Sequence, residues 1–423
     1  MVVGTIIGAS IFVQQSEVIG QVPSVTGALL VWLVSGLLTL CGALVCAELA
    51  STFTRTGGVY VYLREAFGAP VGFLWGWAMF WSIHSGIIAA IAVVFARYAG
   101  YFIPMHEVGT KFVAIAVILL LSAINYMGVK HGSRVQTIFT LGKLIAIAGI
   151  IVGGFLLGTR VPEHFVASEI SSGVTTTGFF SALVAGLFAF GGWHMVTYNS
   201  EETVEPRKTI PRALTIGTVV VTVCYIAMNT VYMYVLPIDV VSSSTRVAAE
   251  LADVLLGFGG GAMMSGIVMF STFGALNGIV LTGPRVYYAM ARDGLLFDWV
   301  GEIHPRYRTP HRAIVLQAIW ASGLVGTGTF RTLFTRVIYT EWIFFALMAV
   351  GLFVLRRRPN LTRKYEVWGF PVMPAVFIIS SLVIVVNQIV LDTAESVFGL
   401  SLVLCGLPVY YVWTRRATPG KAS

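Results

Sequence analysis

The chain has 423 residues, of which 57% are hydrophobic and 11% charged, and its mean hydropathy is +0.85. Soluble domains carry nearer 25% charge, so these proportions exclude an ordinary soluble enzyme and indicate a polytopic membrane protein whose solvent is the lipid bilayer. The net charge of +8 does not point to nucleic acid, because the basic residues gather in short loops on one side of the apolar segments.

Twelve apolar stretches are long enough to cross a hydrocarbon core of about 30 Å. They run 2–21, 27–52, 70–100, 112–128, 134–158, 177–200, 211–236, 258–290, 312–329, 333–355, 371–391 and 396–414. The alternation of barrel strands is absent, so all are expected to be helices. Twenty of the 27 Lys and Arg residues fall on one face and six on the other, with Lys143 inside a span. Positive loops stay in the cytoplasm, which places both termini inside a cell (plasma or inner) membrane. Residues 1–423 read as one transmembrane domain.

The first span carries Gly4-Thr5-Ile6-Ile7-Gly8-Ala9-Ser10-Ile11-Phe12, where Gly8, Ala9 and Ser10 are small and poor at holding a helix. A break there leaves a leading half-helix of about seven residues, or about 10 Å. That is too short to reach the surface, so a further piece upstream of Met1 is expected. The sixth span is interrupted in the same manner by Phe188-Ala189-Phe190-Gly191-Gly192-Trp193. Paired interruptions at matching places in two halves point to a transporter's binding site.

A broken helix frees N–H groups at the start of its second half and C=O groups at the end of its first. The N–H groups of Ala9, Ser10 and Ile11 suit a carboxylate, and the Ser10 hydroxyl adds a donor. The carbonyls of Ile6, Phe188 and Ala189 suit an ammonium. The substrate that this pairing fits is an amino acid. Phe188 reads as a gate and Trp193 as a packing anchor beside it, unless both are ordinary apolar packing. Phe190 and Gly191 complete the second break.

Lys143 lies inside the fifth span. An intramembrane lysine either snorkels to the interface or does work there. The working role is a fixed cation that bonds freed carbonyls or Ser10 near the first break. Ser271 and Asn277 in the eighth span line the pocket or join helices. His194 is a pocket residue or a hydrogen-bonded helix residue. Glu341, near the outer end of the tenth span, is a solvated carboxylate or a vestibule charge that attracts cations or titrates with transport. Glu48, Arg55, Glu201, Glu202, Arg207 and Arg285 are a solvated positive-inside face or an inner gate of ion pairs. The four cysteines offer no metal spacing. No catalytic triad, phosphate loop or metal motif is present in the sequence, so neither an enzyme nor a cofactor is expected.

Several of these stretches, taken in order, resemble the amino acid–polyamine–organocation superfamily, and most of all its L-type amino acid transporter branch with the prokaryotic relatives. They are Val3–Phe12, Ala47–Ala50 with Arg55–Gly58, Arg134–Phe139 leading to Lys143, Gly186–Trp193 with Glu201–Arg207, and Ser271–Gly278 with Arg292–Gly294. The resemblance implies an all-α, five-plus-five inverted-repeat fold, with helices 1 and 6 broken at mid-membrane. The repeats are then 1–158 and 177–355, with 371–414 appended. It also implies sodium-independent exchange or uptake of amino acids. In it Gly8, Ala9 and Ser10 hold the carboxylate, Phe188 gates and Lys143 replaces sodium. Ser10 stands where the family usually has Gly. The outer loop Tyr101–Lys111 lacks the cysteine by which the animal branch binds a heavy chain, so no disulfide-linked heavy chain is expected. Two other readings remain: a proton-coupled or cationic amino acid/polyamine carrier, and a non-transporting membrane sensor.

Overall fold

The structure, a computed structural model, describes residues 1–158, 175–244, 246–257, 259–328 and 330–416. Every regular element among them is helical. In chain order they are α1 (Val2–Ile6), α2 (Gln14–Gln21), α3 (Val25–Thr52), α4 (Val59–Phe67), α5 (Ala69–Ala78), α6 (His84–Ala99), α7 (Glu107–Tyr126) and α8 (Val129–Leu157). Then follow α9 (Thr176–Ala189), α10 (Pro206–Val235), α11 (Ile238–Ser243), α12 (Val247–Leu256), α13 (Gly260–Thr282), α14 (Pro284–Arg292), α15 (His311–Thr327), α16 (Phe330–Arg356), α17 (Val372–Leu391), α18 (Thr393–Leu404) and α19 (Gly406–Arg416).

Ten helical stretches among the described residues are long and apolar enough to cross a membrane. Two of the twelve expected spans fall outside that number for physical reasons. The first is cut into α1, a single 3-10 turn (Ser10–Phe12) and α2. The ninth, α15, has 17 residues, which at 1.5 Å per residue is short for the hydrocarbon core. Between α10 and α13 lie two short helices: α11 packs on α2 and α12 on α13.

Local signals set the boundaries. The Ser24 hydroxyl accepts the Gly27 N–H at 3.2 Å and opens α3; Thr175 accepts from Gly178 at 3.1 Å and opens α9. α9 stops at Phe190-Gly191-Gly192, where Gly192 has φ +92°. That region is strained for any residue with a Cβ. A 3-10 segment, Trp193–Glu202, follows in place of an α-helix.

The spans differ in how much they are covered. Buried residues make up 67% of the most apolar window of Thr176–Glu202 and 72% of that of Gly260–Arg292, but 17% in Val129–Leu157 and in Thr393–Arg415. The interrupted α9 is thus an interior element, whereas α18 and α19 face outward. α10 runs along α3, α13 packs between α6 and α8, and α1 is held by α10, α13 and the Trp193–Glu202 segment.

Candidate functional site

At the first break, α1 ends on Ile7 with ψ 97°, and the helical ladder stops. Most of its freed carbonyls are taken. Lys143 Nζ donates to Gly4 O at 3.1 Å, Ile7 O at 2.5 Å and Ser271 O at 3.1 Å. Ser271 Oγ donates to Gly8 O at 3.1 Å, and the Tyr232 hydroxyl to Ile11 O at 3.3 Å. By contrast, the N–H groups of Gly8, Ala9, Ser10 and Ile11 donate to no acceptor among the described residues. Ala9 and Ser10, at the middle of this row, are half-buried, while Gly8 and Ile11 are buried. The break therefore presents unspent donors while most of its acceptors are occupied, which is the polarity that receives an anion.

Lys143 is fully buried, and three carbonyls match the three N–H groups of an ammonium. Hydrogen bonds to a charged group contribute about 1.5–3 kcal/mol each. Three of them offset the several kcal/mol needed to strip an ammonium of water.

The second break touches the first. Thr5 Oγ1 donates to Gly192 O at 3.1 Å, and a Cβ on Gly192 would lie 3.1 Å from Thr5 O. The Tyr225 hydroxyl, from the middle of α10, stands 2.9 Å from Ala189 O and 3.2 Å from Ile6 O, so one side chain spans both breaks. The Phe188 carbonyl accepts from Gly191 N–H at 3.0 Å, while the Phe188 ring is 37% exposed and Gly191 is exposed.

The model of the amino acid permease family matches residues 1–407. The chain belongs to that family. It is 34% identical to the serine/threonine exchanger SteT of Bacillus subtilis (strain 168), over 98% of this chain and 95% of that one. It is 32% identical to the human b(0,+)-type amino acid transporter 1, covering 98% and 86%. It is also 32% identical to the human large neutral amino acids transporter small subunit 2, covering 97% and 78%. The permease is therefore a multi-pass membrane protein of a transporter family.

Several sequence expectations need correction. Snorkelling of Lys143 is overturned by its complete burial against α1. No bond joins it to Ser10 among the described residues. Asn277 takes the second of its two expected roles and joins helices. It accepts from Asn125 at 3.0 Å and donates to Gly132 O at 3.0 Å and Gln136 Oε1 at 3.1 Å, clamping α13 to α7 and α8. Ser271 serves the first break. Phe190 is buried against Trp32 and Tyr225. Trp193 is buried against Phe345 and Phe377, as expected of packing rather than of an exposed face. The Ile6 and Ala189 carbonyls share the single proton of the Tyr225 hydroxyl, so both keep acceptor capacity for a ligand. Glu341 is neither solvated nor in a vestibule: it is 6% exposed, well inside α16, and faces His194 at 3.7 Å.

The charged residues near span ends pair only in part as expected. Glu202 meets the buried Arg285 through bonds of 3.1–3.3 Å. Glu48 holds Arg356 at 2.5 and 2.8 Å and accepts from Val367 N–H at 2.7 Å. Glu201 approaches Arg292 at 4.0 Å. Arg55 pairs with Asp293 at 2.8 Å, where Arg64 at 3.2 Å and the Tyr60 hydroxyl at 2.8 Å converge. Arg207 has no ion pair among the described residues. Asp293 and Tyr225 were missed. A tyrosine amid the apolar middle of α10 was the available signal, since a buried hydroxyl seeks a partner.

Proposed function

We propose that this permease carries neutral L-amino acids across the cell membrane by alternating access, as a sodium-independent exchanger or uptake carrier. The observation that carries the reading is the row of unspent N–H groups at Gly8–Ile11 beside mostly occupied carbonyls. A zwitterion fits it: the carboxylate takes the donors, and the ammonium takes the remaining lone pairs of Ile6, Phe188 and Ala189. Lys143 supplies a covalently tethered cation where the break would otherwise need a bound one. The relatives described as exchangers or large neutral amino acid transporters support both substrate class and exchange.

In this reading 1–158 and 177–355 are the two inverted repeats, with 371–414 appended. Both termini are cytoplasmic. The Glu202–Arg285 and Asp293 clusters then close the inner side, while Phe188 stands open to the outer side as the gate. Ser10 narrows the carboxylate pocket. No disulfide-linked heavy chain is required, because Tyr101–Lys111 contains no cysteine.

Counterflow in liposomes tests this. Vesicles preloaded with each common amino acid in turn should drive uptake of the labelled one for a neutral subset, equally in sodium and choline buffers. Dependence on sodium overturns the tethered-cation role, and absence of counterflow for every amino acid would favour a sensor.

A further inference from the structure

Behind the second break lies a buried cluster that substrate binding leaves unused. Glu341 on α16 stands 3.7 Å from His194 Nε2. That is beyond a direct hydrogen bond. Both ring nitrogens of His194 are buried without a partner, as are both of His84, the Tyr198 hydroxyl and Gln317 Oε1. These groups are contiguous. The Tyr198 ring lies 5.5 Å from that of His194 and 5.9 Å from that of His84. A Cβ on Gly283 would meet both His84 Nδ1 and Gln317 Oε1 within 2.6 Å. His84 follows directly on a π-helical turn, Met79–Ile83, a distortion common at functional sites.

Native interiors leave few buried polar atoms unpaired, and six of them lie in this one cluster. No Lys or Arg among the described residues pairs with Glu341. Of the elements in contact with α16, the Trp193–Glu202 segment brings His194 and Tyr198, α6 brings His84, Arg97 and Tyr98, α15 brings His311 and Arg312, the latter paired with Glu302, and α4 brings Tyr60, Tyr62, Glu65 and Arg64, the last paired with Asp293. α3 brings Cys41, Cys46 and Glu48, and Glu48 is already spent on Arg356. α18 brings Glu395, next to Ser396, whose carbonyl accepts from Tyr339 of α16. α17 brings no titratable side chain.

We propose that Glu341, His194 and His84 form a proton-binding site that couples net amino acid uptake to proton movement. The proposal rests on the transport reading above and adds its coupling ion. The physics is a matter of charge in a dry interior. One proton shared by Glu341 and His194 leaves the pair neutral overall, as acid with imidazole or as carboxylate with imidazolium. Losing that proton leaves a lone buried carboxylate, which is costly without water. Buried Glu–His chains are the usual proton relays of pumps and transporters. A proton from the outer solution adds to the Glu341 carboxylate and leaves from it to the inner solution. His194 is the second residue past Gly192, so the site reports on the same turn that meets the substrate.

The test uses the whole protein in liposomes, with voltage clamped at zero by a potassium ionophore and a pH dye inside. The substrate is the neutral amino acid that gives the fastest counterflow. With the outside one pH unit more acid, net uptake into empty vesicles should reach up to about tenfold accumulation, the ratio one proton supports, and the lumen should acidify only when substrate is present. Glu341→Gln should keep counterflow but lose both accumulation and acidification. His194→Asn should do the same and serves if the first variant fails to insert. Wild-type counterflow without proton-driven accumulation overturns the proposal and leaves the transport reading intact. Accumulation that survives in Glu341→Gln or His194→Asn overturns it as well. No wild-type counterflow at all defeats the transport reading first.

Discussion

Lys143 Nζ lies 2.5 Å from the carbonyl oxygen of Ile7, the last residue before the first helix comes apart. The same ammonium reaches Gly4 on α1 and Ser271 on α13, so it pins the broken helix to two neighbours. Lys143→Ala should leave three buried carbonyls without their donor and abolish counterflow, while the protein still inserts and elutes as a single species. Wild-type exchange by this variant would remove the lysine from the mechanism.

Tyr225 ties the two breaks together through Ile6 and Ala189. Tyr225→Phe keeps the ring against Trp32 and Phe190 and removes only the hydroxyl. A buried carbonyl left unpaired costs about 1–3 kcal/mol, and each 1.4 kcal/mol is tenfold in rate. Exchange should therefore slow by about tenfold or more with the fold retained, read from initial counterflow rates.

The backbone features of the site were legible because they announce themselves in residue type. Small residues at Gly8–Ser10 and the pair Gly191-Gly192 cannot hold a helix, and Lys143 cannot sit in lipid without acceptors. Side-chain destinations were not legible. Asn277 and Glu341 sit on helices whose rotation the sequence does not specify, and a polar residue in a span looks alike whether it faces a pocket or another helix. Glu341 was read as near a span end because apolar length marks where a helix ends only roughly; α16 extends well beyond it on both sides. The first and ninth spans show the same limit, since hydropathy registers apolar length and not continuity.

Asn277 illustrates the consequence. Its amide satisfies partners on α7 and α8, and such interhelical bonds contribute about 1–2 kcal/mol in membranes. Asn277→Ala should lower the thermal midpoint of the purified protein while substrate affinity stays near wild type. A changed substrate preference with unchanged stability would return Asn277 to the pocket wall.

Phe188 combines an exposed ring with a carbonyl fixed in the turn of the second break. A gate acts on the passage between states more than on the bound complex. Phe188→Ala should cut turnover by about tenfold, equivalent to 1.4 kcal/mol, with a much smaller change in affinity measured by calorimetry. Equal losses of both would count against a gate.

Gly192 meets the first interruption directly, through Thr5. Its φ of +92° costs an alanine about 1–3 kcal/mol, and the added Cβ would press on Thr5 O at 3.1 Å. Neither atom at that contact is the end of a flexible side chain, so the strain is relieved only by parting the breaks. That parting also stretches the Thr5–Gly192 bond and the span bridged by Tyr225. Gly192→Ala should therefore lower the thermal midpoint and impair exchange together, whereas Gly149→Ala on α8, where a Cβ meets nothing within 4 Å, should do neither. Full exchange by Gly192→Ala would mean that close contact between the breaks is not needed for transport.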